Sequence, residues 1–429
     1  MISAATSSDL LPPQLAFGPD GLASVGFGLI DEVDPARYAA LVAPGNGLVT
    51  NAFARPLRLP GAEQLLGLAY LPVSARRSKP RRSKQASRTG VTPPQVPALE
   101  LLSGTSPSDL SCCTAVEVRS LSAAGALGPA RTIIKGLDGP TSGQLLPLPR
   151  GPLAVVASVN GLWVARASAG GRFGAARMLS YSQDDEPPVI ATSGLSGGRS
   201  VVAWTAVVPG QTPPAAPQQI FYALGSARGV PTVARLVLTL PAGFSVQNLA
   251  VAPRGSGATL AWVESWYDAA GTFHSQAFAA DLTAHPMPVA VSAPGVLATG
   301  ASLSADTRGD QAMTWQGCDA AGSCTADLAL RPARGDWSAT QTLGTLDSTD
   351  LPAVAESSGG KVLVAWVSQG QVWDAEAAPT RLLRSSRRLA SAGSSAAGVA
   401  LGFSATGDAL AAWTQGLATE SVDGARFDG

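Results

Sequence analysis

The sequence predicts an all-β fold, a closed β-propeller of about eight four-stranded blades, and three observations carry that prediction. Five segments share one ending, VVAWT at Trp204, TLAWV at Trp262, AMTWQ at Trp315, LVAWV at Trp366 and LAAWT at Trp413, at intervals of 58, 53, 51 and 47 residues. A glycine stands five or six residues ahead of each tryptophan, at Gly198, Gly257, Gly309, Gly360 and Gly407. The composition, with 47 Gly, 33 Pro, 45% hydrophobic and only 14% charged residues, suits many short strands joined by tight turns. Self-similarity at a nearly fixed period marks a repeat array, so the 429 residues need no division into unrelated domains.

Each unit opens on a short alternating strand, as in PPVIATS, QNLAVAP, ASLSADT, PAVAESS and VALGFSA. A glycine turn and the tryptophan strand complete a hairpin. Two further strands flank a second glycine turn, as in GLWVARASAGGRFGAARMLS and CTADLALRPARGDWSATQTLG. Toward the N-terminus, PQLAFGPDGLASVGF sets Phe27 six residues after Gly21, and LLPLPRGPLAVVAS sets Ala157 six residues after Gly151. Between these lies a degenerate unit. Its second strand is expected near LLGLAYLP, and its third and fourth at CTAVEVRSLSAAGALGPARTII. Eight hairpins result, with seven blades the alternative if the degenerate unit is not a blade.

Closure supports the count. The last unit has room after Trp413 only for a third strand, GLATESVDGARF, while the opening MISAATS reads as a stray fourth strand. An N-terminal strand completing the last blade is expected to close the ring, which removes open sheet edges. The expected organisation is one propeller over residues 1–429, with a disordered basic and Pro-rich insertion at 75–110 inside the second blade. Trp204, Trp262, Trp315, Trp366 and Trp413 are expected to pack between blades, because one small sheet cannot bury both of its faces alone.

At LVAW (363–366), W-x-A-R (163–166) and GG-R-F-G (170–174) the chain resembles the repeats of bacterial secreted propeller proteins, including the sialidase-like and WD40-like groups. The resemblance covers most of the chain. The turns SAGGRF and ARGDWS occupy the place of the sialidase Asp box, S-x-D-x-G-x-x-W, without its residues. The Gly-His pair of WD40 repeats is missing as well, and a Trp-Asp pair occurs once, at Trp373–Asp374, rather than in every repeat. The resemblance therefore implies the fold and transfers no functional residue.

The chemistry-bearing residues are sparse. The two histidines, His274 and His285, lie in no motif for a triad or a metal site. Asp184, Asp185 and Glu186 form the densest acidic cluster, but without the ligand spacing of a calcium loop they read as a solvated link. Cys318 ends a tryptophan strand and Cys324 opens the next, so the two face each other across a hairpin, placed for a disulfide and an oxidising compartment. Cys112 and Cys113 are adjacent, leaving either a bridge between neighbours or free thiols. No cofactor and no metal is implied.

The feature the fold least requires is the basic loop. Arg76, Arg77, Lys79, Arg81, Arg82, Lys84 and Arg88 are clustered without an acid, a candidate anion-binding segment. Without them the rest of the chain is mildly acidic. The leading expectation for function is a non-enzymatic binding or scaffold propeller, exported or surface-associated, whose loops at one mouth hold a protein, peptide or glycan. The alternatives are a glycoside hydrolase or lyase-type enzyme with a central-channel site, and an anionic-polymer binder acting through the basic loop. No stretch reaches the roughly 18 apolar residues of a membrane helix, so no integral membrane span is expected. Nucleic acid is not an expected partner, and a monomer is expected. The start MISAATSSDLLPP lacks the features of a signal peptide, an appearance a removed leader would also leave, and the expected location is extracellular or at the cell surface.

Overall fold

The computed structural model describes residues 9–427 apart from 11–12, 19–21, 31–37, 46–56, 60–63, 71–98, 106–113, 123–125, 138, 170, 183–186, 209–216, 348–349, 390–394 and 416–420. Eight antiparallel sheets follow one another along the chain, each built in simple up-and-down order. Sheet 4 shows the plan. Its strands Ile190–Leu195, Arg199–Val207, Gln218–Gly225 and Ala234–Thr239 pair only with their sequence neighbours. Sheet 1 has a broken first strand, Asp9–Leu10 and Gln14–Phe17, both on the same edge of Ala23–Ile30. Sheet 8 has three strands among the described residues, Ala396–Phe403, Ala409–Gln415 and Ser421–Phe427. The segment expected to complete it, residues 1–7, lies outside the described residues.

The first strand of every sheet lies against the first strand of the next, and that of sheet 8 lies against that of sheet 1. The eight first strands thus form a cycle, which is the arrangement of a β-propeller. Close approach within that cycle depends on glycine at particular points. A Cβ on Gly67 would come within 2.8 Å of the Leu145 backbone nitrogen, and one on Gly143 within 2.9 Å of Leu66 Cβ, so sheets 2 and 3 meet through a reciprocal pair of missing side chains.

The core is divided among the contacts between sheets, and each tryptophan of the repeat faces the preceding sheet. Trp204 packs with Leu153, Val155 and Val164 of sheet 3, and Trp262 with Val201 and Tyr222 of sheet 4. Trp315 meets Ala261 and Val263 of sheet 5, Trp366 meets Leu328 and Leu330 of sheet 6, and Trp413 meets Leu363 and Val372 of sheet 7. All five are buried. Phe27 takes the same place in sheet 1 and packs with Leu410 and Ala412 of sheet 8. In sheet 3 the place falls to Val156, which faces sheet 2, while Ala157 faces sheet 4. Counting from the turn glycine misplaced it because six residues (147–152) separate the paired strands there, against three (196–198) in sheet 4.

The hairpin turns explain the glycine spacing. In sheets 6, 7 and 8 the turns 306–310, 357–361 and 404–408 begin with Asp306, Ser357 or Ser404, whose side-chain oxygen accepts one or more backbone N–H groups of its own turn. The fourth residue is Gly309, Gly360 or Gly407, with φ of 92°, 84° and 94°, a left-handed conformation that a side chain would oppose. In sheet 5 the turn glycine is Gly255 rather than Gly257, which already belongs to the strand Gly257–Tyr267.

Sheet 2 corrects the sequence reading in a second way. The segment LLGLAYLP supplies its first strand, Gln64–Tyr70, and the second is Leu99–Thr105, inside the span 75–110 expected to be an insertion. Leu101 and Leu102 are fully buried. The apolar run ALELLSG follows directly on the Pro-rich segment, and composition read across that boundary merged a core strand with the segment before it. The insertion therefore interrupts the first hairpin of the sheet.

Candidate functional site

Up-and-down order places the chain reversals on two faces of the ring. Turns from first to second and from third to fourth strands share one face; turns from second to third strands and the links between sheets share the other. On the latter, where sheets 3, 4 and 5 meet, lies a shallow depression open to solvent. Ser180 and Tyr181 come from the end of sheet 3, and Pro187 and Pro188 lead into sheet 4. Thr205 and Gln218 stand near the ends of the second and third strands of sheet 4, and Val246 enters from sheet 5.

Two of these residues are fixed by backbone groups. Thr205 Oγ1 accepts the Val189 N–H at 3.0 Å, while the Thr205 N–H donates to Val189 O at 3.1 Å. Gln218 Oε1 accepts the Val246 N–H at 2.8 Å, which orients the amide and leaves Nε2 without a protein partner among the described residues. Tyr181 is 63% exposed. Among the described residues, no Asp, Glu, His, Lys, Arg or Cys lines the depression.

An aromatic row stands beside it. Phe244, Trp266 and His274 are directly opposite one another across three strands of sheet 5, and their rings stack, Phe244 on Trp266 at 4.9 Å and Trp266 on His274 at 5.4 Å. Strand alternation puts Phe244 on the same side as Val246, toward sheet 4. His274 Nε2 meets Asp268 Oδ2 at 2.9 Å, and Asp268 Oδ1 accepts the N–H groups of Ala270 and Thr272. The His274 contact and these backbone bonds hold the Asp268 carboxyl below its ordinary range. His274, which no motif singled out, thus terminates a row whose members lie 30 residues apart in the sequence. Only the two-residue alternation shared by three strands pointed to it.

Among the described residues, the acids gather elsewhere. Asp306, Asp310 and Glu356 gather at the opposite face, where the first hairpins of sheets 6 and 7 turn. Asp306 Oδ2 accepts Arg308 Nε at 2.7 Å and Asp310 Oδ2 lies 3.0 Å from Arg308 Nη2. Glu356 is 8% exposed, and both its carboxyl oxygens are buried without a hydrogen-bond partner among the described residues. Burial, reinforced by the negative charges of Asp306 and Asp310 and opposed by Arg308, pushes its carboxyl up to about 9. Such a shift is a usual sign of a functional group. With both oxygens sealed from solvent, however, Glu356 cannot reach a bound molecule.

Two other raised acids are structural. Burial raises Asp327, which Thr325 and Thr342 hold by hydrogen bonds, and Glu264, which accepts Trp262 Nε1 at 2.7 Å. The first strands place no pair of facing carboxylates and no arginine cluster among the described residues: their charged members are Asp9, Arg254 and Glu356, and Arg254 pairs with Asp281 at 3.2 Å.

The remaining sequence candidates divide cleanly. Cys318 and Cys324 are directly opposite in register and joined by a disulfide that closes the turn 319–323. Asp319 already pins that turn through the Ala321 and Ser323 N–H groups. Because the closed loop is short, replacing both cysteines by serine is expected to cost about 2 kcal/mol, measured as the shift in urea unfolding under oxidising conditions. Arg76, Arg77, Lys79, Arg81, Arg82, Lys84 and Arg88 lie outside the described residues, as do Asp184, Asp185, Glu186, Cys112 and Cys113. The chain leaves for the basic segment after Tyr70 and returns at Leu99, on the face opposite the depression.

No family model matches the chain, and no curated protein is significantly similar to it in sequence. Among solved structures it is similar to an α-L-arabinanase of Penicillium chrysogenum complexed with arabinobiose, at 9% identity over 67% of this chain and 91% of that one, with a TM-score of 0.39. It is also similar to a fucose-specific lectin from Aleuria aurantia, at 9% identity over 65% and 92%, with a TM-score of 0.38. A Hadza microbial sialidase matches at 12% identity over 73% and 74%, with a TM-score of 0.37. At these identities the likeness is one of fold. No helix among the described residues is long and apolar enough to cross a membrane.

Proposed function

We propose that the chain is a recognition protein that binds its ligand without turning it over, at the face of the propeller where sheets 3, 4 and 5 meet. One observation carries this reading: the depression has hydrogen-bonding and apolar side chains but, among its described lining residues, no acid, base or activated nucleophile. Hydrolysis of a glycosidic bond calls for two carboxylates across the scissile bond, and acyl transfer for a nucleophile beside a base. Serine and threonine hydroxyls alone supply neither. The Cys318–Cys324 disulfide supports a chain that works in an oxidising compartment, outside the cell or on its surface.

The test is to present the purified full chain to an array of glycans and peptides and to analyse the solution over the bound ligands chromatographically. Retention without new products is expected. Release of product that disappears when a first-strand acid is replaced would overturn the reading in favour of an enzyme.

A further inference from the structure

We propose that the depression between sheets 3, 4 and 5 binds a neutral pyranose sugar, with its hydroxyls bonded to Gln218 and Thr205 and one apolar face laid on the Tyr181 ring. This rests on the recognition reading above and adds to it the ligand class and the residues. Three features decide the class.

The first is charge. The described lining carries no cation, so an anionic ligand such as a phosphate, a nucleic acid or an acidic sugar would give up hydration without compensation. It carries no anion either, so a basic peptide finds no counter-charge among the described lining residues. A neutral polar ligand loses least.

The second is the state of the backbone. A peptide binding in extended form adds a strand and needs unpaired N–H and C=O groups at an edge. Around the depression those groups are already engaged: Thr205 N–H with Val189 O, Val208 N–H with Pro217 O, and Leu240 N–H with Gln218 O, at 2.8 to 3.1 Å. What the site offers comes from side chains.

The third is the kind of side chain on offer. Gln218 is held by its bond to Val246, so its Nε2 protons are fixed in direction before any ligand arrives, and no immobilisation of that group is required on binding. Thr205 Oγ1 accepts from Val189, which leaves its hydroxyl proton as a second donor. Tyr181 adds an uncovered ring, and Pro187, Pro188 and Val246 add apolar surface. Ring hydroxyls in the plane of a sugar and C–H groups above and below it match this pairing of polar edge and apolar wall.

The experiment is ligand-observed NMR and calorimetry on the full chain with the methyl pyranosides of glucose, galactose, mannose and fucose, and with methyl glucuronide as the charged control. Binding of at least one neutral glycoside, with the glucuronide weaker, is expected. Tyr181→Ala should weaken it roughly ten-fold without lowering the melting temperature, since the ring is mostly exposed, and Tyr181→Phe should retain most of the affinity. Gln218→Glu keeps an acceptor for the Val246 N–H and removes the donor, and should also weaken binding. The proposal is overturned if the glucuronide alone binds, or if neutral glycosides bind equally to wild type, Tyr181→Ala and Gln218→Glu. It is overturned too if no glycoside binds while the array retains a peptide or protein, an outcome in which the recognition reading survives. Turnover of a glycan would instead remove that reading itself.

Discussion

Trp262→Ala is expected to be the most damaging single substitution in the chain, costing about 4 kcal/mol or more of unfolding free energy in urea denaturation. Three losses combine. The indole is fully buried between sheets 4 and 5, so truncation opens a cavity in the contact between them. The stack on Phe278, with ring centroids 5.9 Å apart, is lost. Glu264, itself buried, loses the Nε1–H that it accepts at 2.7 Å, and a carboxyl already disfavoured by burial is left without that support. Trp262→Phe retains much of the volume and only removes the hydrogen bond and part of the packing, so its cost should be about half or less. In an array held together by contacts between neighbours, the damage should be greatest in sheets 4 and 5. Equal effects of the two variants would mean that packing is not what Trp262 contributes.

Glu356→Gln is expected to stabilise the protein, and by an amount that grows with pH. The ordinary carboxyl value is 4.5 and the folded value about 9. Below pH 4.5 the folded and unfolded chains both carry the proton, and the group costs nothing by titration. Above it the unfolded chain releases the proton while the folded chain keeps it, so stability falls by ~1.4 kcal/mol per pH unit until the folded group ionises. At pH 7 the accumulated loss is roughly 3 kcal/mol, with burial as the larger cause and the charges of Asp306 and Asp310 as the smaller. The amide does not titrate. The difference in stability between variant and wild type should therefore increase steadily from pH 4.5 to pH 8 in urea titrations. A difference independent of pH would show that Glu356 is ionised at neutrality and has found a partner.

Much of the architecture was legible because it repeats. Trp204, Trp262, Trp315, Trp366 and Trp413 announce the same strand five times, and the apposition of Cys318 and Cys324 follows from the position of Trp315 on that strand. Where turns change length the reading slipped, as at Ala157 for Val156, because a count from a glycine fixes a face only when the intervening turn is constant. Sheet 2 failed for another reason: Leu99–Thr105 carries no tryptophan, and its neighbours in sequence are Pro-rich rather than turn-forming.

The proposed binding face was not legible. Tyr181, Thr205, Gln218 and Val246 belong to three sheets and share no motif, and each is ordinary in its own strand. Their meeting is a product of how sheets are placed around the ring. Glu356 was equally silent, since AVAE reads as a strand end exposed to water, whereas the adjacent turn of sheet 6 buries it.

Hydrogen–deuterium exchange of the full chain, with and without the methyl pyranoside that binds most tightly, tests the central claim most directly. Protection should rise around Tyr181, Thr205, Gln218 and Val246, with the hairpins at Asp306 and Glu356 on the opposite face unchanged. Protection confined to residues 76–88, or to the first strands around the ring, would contradict it and move the site to the basic loop or the central channel.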